Sequence, residues 1–209
     1  TASGPPNVTV QNGGGITLGA GASRTISGTL ALGGGGGGRV TTGANTLTIG
    51  SAGTVTGPGS GSYVNGNLQK TVTISAGAGS QTWEVGDAAL YAPINFATTT
   101  GFTNVVLTGS TTPGDHGSIA TSGLDAAKTA NRYWTLSTNS GSFGTANLTF
   151  NFNNPADLDP TANPLNFVVK KFDAPSTWAS TTTGTQTTAS TQATGVSGFS
   201  DFQVGESGC

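Results

Sequence analysis

Short triplets of alternating apolar and polar residues recur through the first third of the chain. "ITL" at 16, "LAL" at 30 and "LTI" at 47 form one set; "RTI" at 24, "RVT" at 39 and "TVT" at 54 form a second. Side chains alternate along a strand, so each triplet puts one or two aliphatic side chains on a single face. The second set recurs at spacings of 15 and 15, the first at 14 and 17, with Gly-rich turns such as "TGAN" (42–45) between them. Two interleaved registers predict rungs of a small β-solenoid, each stacking its aliphatic residues on the next. On this reading "GRVTTGANTLTIGSAGTVTG" (38–57) is one rung, and Leu32, Leu47, Ile49 and Val55 share an interior. A flexible linker is the competing reading, because Gly plus Pro here passes the roughly 25–30% that marks low complexity. The run Gly33–Gly38 reads as a mobile loop on either view.

From Tyr63 onward the pattern changes to longer strands with turn punctuation. "SYVNGNLQKTVTI" carries Asn65–Gly66, a hairpin signal. "SQTWEVGD", "APINFATTT", "FTNVVLTGS", "LNFVVKKFD" and "FSDFQVGE" read as strands, and "NRYWTLSTNSGSFGTANLTFNFN" as two long ones around a Ser/Gly turn. "SGLDAAKTA" (122–130) predicts a helical turn, since Ser122 and Asp125 fit a capping box. The fold class expected is all-β: a short N-terminal β-solenoid over 1–62, with an extended leading segment, followed by an antiparallel β-sandwich over 63–209. Trp83 and Trp134 sit in alternating strands and are assigned to the sandwich core.

Composition sharpens that division. All 15 aromatic residues lie at or after Tyr63, whereas residues 1–62 hold 19 of the 35 glycines and two charges, Arg24 and Arg39. Charged residues make up 8% of the 209, against roughly 25% in an ordinary chain. A net charge of −2 leaves no basic face for phosphates, so nucleic acid is excluded as a partner. No apolar run approaches the roughly 18 residues that span a bilayer as a helix. The chain lacks Met and a charged-then-apolar leader, and reads as a processed one. Its single Cys excludes an internal disulfide. Dominance of Thr, Ser, Asn and Gly over Lys and Glu points to an extracellular protein.

Four stretches taken together carry a resemblance: residues 38–72, "TWEVGD…YAPINF", "NRYWTL" and "GVSGFSDFQVGE". In this order they resemble a β-rich module of secreted cell-surface proteins of Bacteroidota exported by the type IX system. In such proteins the module tends to end shortly before a cleaved sorting domain, and no sorting domain is present here. The resemblance covers roughly residues 38–206 and implies display on the bacterial cell surface without enzymatic activity.

Few residues suggest chemistry. His116, the only His, follows Asp115 in "PGDHGS" and reads as an exposed loop residue. "NNPADLDP" places Asp157 and Asp159 two apart behind two Asn, the only candidate for an oxygen-rich metal loop. A Pro/Asp turn explains the stretch equally well. Trp178 stands outside clean alternation and is the candidate ligand contact, for a sugar stacked on its ring. Thr46, Thr54 and Thr71 each begin a Thr-x-Thr pair, but at spacings of 8 and 17 they cannot form one flat ice-binding face. No Gly cluster is followed by Lys and a helix, so no phosphate loop exists. No cofactor and no catalysis are expected.

The function expected is therefore a non-catalytic extracellular structural protein, a self-assembling subunit of a surface filament or sheath. The alternative is an adhesin or glycan-binding module of a larger surface protein. Partners would be copies of itself, or surface glycans. Assembly residues would be Val8 and Val10, one-sided behind Pro5–Pro6 in a strand able to complete a neighbour's sheet or to start the local solenoid. Cys209, with no partner in the chain, would bond only to another molecule. Head-to-tail contacts that do not close would give a fibre.

Overall fold

In the computed structural model, which describes residues 4–33, 37–74, 80–98 and 100–208, the described residues from Val8 to Thr71 wind into three coils. The first coil comprises β1 (Val8–Val10), β2 (Ile16–Thr17) and β3 (Arg24–Ile26). The second comprises β4 (Thr29–Leu32) and the bent β5 (Val40–Ile49). The third comprises β6 (Thr54–Thr56) and the bent β7 (Val64–Thr71). Coils stack through parallel ladders. β1, β4 and β6 line one face, while β2 and β3 pair with β5 on either side of its bend, and β5 pairs with β7.

The register corrects the rung spacing read from sequence. Val8 stacks on Leu30 and Leu30 on Val55; Ile16 stacks on Val40 and Val40 on Val64; Leu47 stacks on Leu68. One coil is therefore 21–25 residues long, and the spacings of 14–17 link strands on different faces, each passing over the face between them. The interior is as expected: Leu32, Leu47 and Ile49 are buried and Val55 is packed against them.

Bends need a backbone that turns without clashing. Gly43 (φ 58°) and Gly66 (φ 119°) supply it from the left-handed region that other residues avoid. Asn45 satisfies the bend's backbone, accepting from Ala22 N (2.8 Å) and donating to Gly19 O (2.9 Å) and Thr42 O (3.1 Å). Asn67 donates to Asn45 O (3.2 Å) one coil further on. Asn65–Gly66 is thus a coil corner within one strand rather than a hairpin turn, because both its flanks pair with β5 instead of with each other.

The solenoid runs straight into the sandwich. β9 (Val85–Gly86) adds a parallel strand beyond one half of β7, and β11 (Phe102–Pro113) adds an antiparallel strand beyond the other half. Past β11 the sheet continues through β12 (Leu124–Phe143), β18 (Asp201–Ser207), β14 (Val168–Asp173) and β15 (Thr177–Ser180), all antiparallel. One ten-stranded sheet therefore spans both regions. The composition boundary near residue 62 falls inside the third coil, with no break in pairing. A five-stranded sheet packs over the sandwich half, in the order β16 (Thr182–Gln186), β17 (Ser190–Val196), β13 (Ala146–Asn151), β10 (Ile94–Thr98), β8 (Gln81–Trp83).

Trp83, Phe96, Trp134, Phe150 and Phe202 fill the space between the sheets, each fully buried. The indole N–H of Trp134 donates to Ala92 O (3.0 Å) and that of Trp83 to Leu107 O (3.3 Å), so neither polar tip is left unpaired. The helical turn expected over 122–130 is instead the start of β12. A 3-10 turn, Ile119–Thr121, precedes it, and Leu124 and Thr129 pair with β18. Ser122 and Asp125 accept from the N–H groups of Leu124 and Ala127, two residues on, a turn geometry that competes with capping. Residues 34–36 of the glycine run lie outside the described residues.

Candidate functional site

The two ends of the solenoid differ. At its downstream end β9 and β11 cover both halves of β7, leaving only the β6 face without a further strand among the described residues. At its upstream end β1 pairs only with β4, and β2 and β3 only with β5, so among the described residues no strand lies on the outer edges of the three. Gly4–Pro6 covers part of the β3 edge, where Pro5 O accepts from Ser27 N (3.3 Å). Between these edges opens an apolar recess of about 100 Å³, lined by Pro5, Val8, Ile16, Leu18, Ile26 and Leu30 with Arg24 beside it. Ile16 is 40% exposed and, with Leu165, is one of two large apolar side chains exposed among the described residues. Val8 and Val10 build the chain's own first coil: Val10 is buried and Val8 lines the recess.

The joint between solenoid and sandwich holds the buried charges. Lys70 Nζ, on β7, lies 2.9 and 3.1 Å from the two carboxylate oxygens of Glu84 and donates to Thr82 O (2.8 Å). Burial pushes the Glu84 carboxyl above its ordinary range, with Lys70 opposing. Arg132, 1% exposed, bridges Asp87 (2.9 Å) and Asp157 (2.6 Å) and donates to Thr111 Oγ1 (3.2 Å). Burial pushes the Asp87 carboxyl up, but the N–H groups of Ala89 and Leu90 and the Arg132 guanidinium outweigh it and hold it below its ordinary value. Tyr91 stacks on Tyr63 at 5.6 Å, and burial beside Glu84 pushes its phenol up to about 12.

Asp157 and Asp159, the pair that suggested a metal loop, are both engaged by protein donors. Asp157 takes Arg132 on one oxygen and Asn153 on the other. Asp159 accepts from Thr129 N (2.8 Å) and Asn131 Nδ2 (3.1 Å). The described residues contain no group of three or more His, Cys, Asp or Glu placed to hold a metal ion.

His116 is not an exposed loop residue. Its side chain is 11% exposed and is enclosed by Tyr133, Phe172 and Trp178 at ring separations of 4.4–5.1 Å. Nδ1 accepts from Ser118 N (3.1 Å), which assigns the proton to Nε2, 3.3 Å from Asp201 Oδ2. Both ring nitrogens are engaged, Nδ1 by Ser118 N and Nε2 by Asp201. Asp115 accepts from Thr129 Oγ1 (2.6 Å) and Gln203 Nε2 (2.8 Å); burial, reinforced by Asp159, raises its carboxyl above the ordinary value. Trp178 is half-buried in the His116 cluster and donates to Ser118 O (3.0 Å), so its ring is held by packing. Cys209 lies outside the described residues.

One polar cleft of about 260 Å³ opens between β15–β16 and residues 194–198. Lys171 and Asp173 line it as an ion pair (3.0 Å), together with Ser180 and Thr182. Trp178 is not among its lining residues. No helix among the described residues is long and apolar enough to cross a membrane. No protein-family model, curated protein or solved structure matches this chain.

Proposed function

We propose that this chain is a non-catalytic structural protein of the bacterial cell surface that assembles through the open end of its solenoid. The observation that carries this reading is the upstream end, where unpaired strand edges surround an apolar recess and a half-exposed Ile16. Proteins guard such edges with charge, Pro or cover; among the described residues, Pro5–Pro6 over the β3 edge and Arg24 are such devices. The absence of catalysis is supported by the ionisable groups the structure engages internally: Lys70 with Glu84, Arg132 with two carboxylates, and both nitrogens of His116. Surface display is supported by the composition and by the resemblance to secreted modules. The test is negative-stain microscopy with sedimentation of the pure chain. Assembly that persists at high salt supports the reading, because the contact is apolar. A monomer at millimolar concentration refutes it.

The polar cleft favours a second reading, a glycan-binding adhesin module. Its Lys171–Asp173 pair and hydroxyls suit a neutral polyol. Glycan-array binding lost on Lys171→Ala, with melting unchanged, would bring that reading to the front.

A further inference from the structure

We infer that the chain closes a covalent bond within itself: the Thr129 hydroxyl attacks the side-chain amide of Gln203, Asp115 carries the proton, and an ester forms as ammonia leaves. The bond needs no partner and forms once per chain.

The register brings the two groups together. Thr129 on β12 stands opposite Gly205 on β18, and Gln203 lies two residues along β18 on the same side of that strand. Gly205 leaves room for this approach, because a Cβ there would lie 2.9 Å from Thr129 Cγ2. Thr129 and Gln203 are both fully buried. One oxygen, Asp115 Oδ1, holds both reacting side chains: it accepts from Thr129 Oγ1 (2.6 Å) and from Gln203 Nε2 (2.8 Å). Gln203 Nε2 also donates to Ala130 O (3.0 Å), and the amide oxygen accepts from His116 N (2.8 Å). Both ends of the Gln203 amide thus have partners, which fixes which end is nitrogen. The ring of His116, clamped by Tyr133, Phe172 and Trp178, holds its backbone N–H at that oxygen.

Each contact has a place in the reaction. Asp115 takes the hydroxyl proton as Thr129 Oγ1 bonds to Gln203 Cδ. The amide oxygen gains negative charge in that step, and the His116 N–H already points at it. Asp115 then passes the same proton to Nε2, the Cδ–Nε2 bond breaks, and the nitrogen leaves as ammonia. Hydroxyl plus amide gives ester plus ammonia, and Asp115 returns to its ionised form. Burial and the neighbouring Asp159 raise the Asp115 carboxyl, which makes it a stronger base than a carboxylate in water. Loss of ammonia to solvent draws the exchange forward, and burial keeps water from the ester. The closed bond takes both donors from Asp115, whose raised value therefore belongs to the unreacted chain.

Intact-mass spectrometry of the whole purified chain, followed by a tryptic map, tests this. The native chain should be lighter than its sequence by the mass of one ammonia, with peptides 129–132 and 172–209 running as one species. Mild alkali should split them, adding one water and leaving a carboxylate where the Gln203 amide was. Thr129→Val, which keeps the shape and removes the nucleophile, should restore the full mass. The map reads the bond in the unaltered chain, so it decides even where that variant does not fold. Full mass in folded chain aged at neutral pH overturns the inference. So does an ammonia loss that maps outside those two peptides or survives Thr129→Val.

Discussion

The solenoid and the sandwich use one sheet in opposite ways. In the solenoid the strands are parallel, mostly two to four residues long, and lined by Val, Ile and Leu. Every ladder joins a coil only to its neighbours. In the sandwich the strands are antiparallel and reach 20 residues in β12, and a second sheet closes over five large aromatic rings. A coil cannot bury its own interior; it depends on the coil before and the coil after. The sandwich provides the cover after the third coil, while among the described residues the first coil is paired on one side only. The gradient that follows runs from an over-determined aromatic core to a marginal first coil, along a single hydrogen-bonded sheet.

Two substitutions should have the largest effects, each about 3–5 kcal/mol, and they differ in reach. Trp134→Ala empties the centre of the sandwich and should lower the one melting transition of the whole chain, since both regions share the sheet. Survival of melting, with loss of ligand binding instead, would show that Trp134 is not core. Ile49→Asp puts an unpaired carboxylate among the buried aliphatics of coil two. It should release the amides of residues 8–56 to exchange while β12 and β13 stay protected. Equal loss of protection in β12 would deny the gradient.

A matched pair sharpens the contrast. Val10→Ala and Val64→Ala each delete two buried methyl groups, about 1.5 kcal/mol at roughly 0.8 kcal/mol per group. At Val64, under β9, the loss should appear in global stability. At Val10, in coil one, it should appear as faster local exchange with little change in melting temperature.

The smallest effect concerns pH. Asp115 has its folded value raised, so the folded state binds its proton more tightly than the unfolded chain. Stability should then fall as pH rises from the ordinary carboxylate value through the raised one. Asp115→Asn, which keeps an oxygen for Thr129 and Gln203, should remove that slope and slightly stabilise the chain at neutral pH. Asp87 acts in the opposite sense: its value is lowered, so its contribution is complete above the ordinary value and is lost as acid takes the pH down through the lowered one. A denaturant series from pH 3 to 8, about the window in which carboxylates titrate, reads both slopes.

What was legible in the sequence was local. Alternating triplets announced the solenoid, and the alternation around Trp83 and Trp134 announced the core. The coil period was not legible, because the recurring triplets sit on different faces while the true stacking partners, such as Leu30 and Val55, share no obvious motif. Asn65–Gly66 sends the same signal in a hairpin and in a coil corner; only the strand lying beside it decides. His116 looked exposed because its enclosing partners Tyr133, Phe172, Trp178 and Asp201 lie 17–85 residues further along the chain. Asp157 looked like a metal ligand because Arg132, 25 residues earlier, shows no link to it in sequence. The open end was half legible: Val8 and Val10 stood out as a one-sided strand, but the recess that Val8 helps to form needs Leu30, Val40 and Leu47 from the next coil.

Residue-resolved amide exchange on the intact chain tests the central claim most directly, that solenoid and sandwich are one continuous sheet whose protection falls toward the first coil. Protection should rise from β1 through β4 and β5 to β7, and continue without a step into β11 and β12. A sharp step at residue 62, or fast exchange throughout 8–56, would contradict it and return the first third of the chain to a separate unit or a linker.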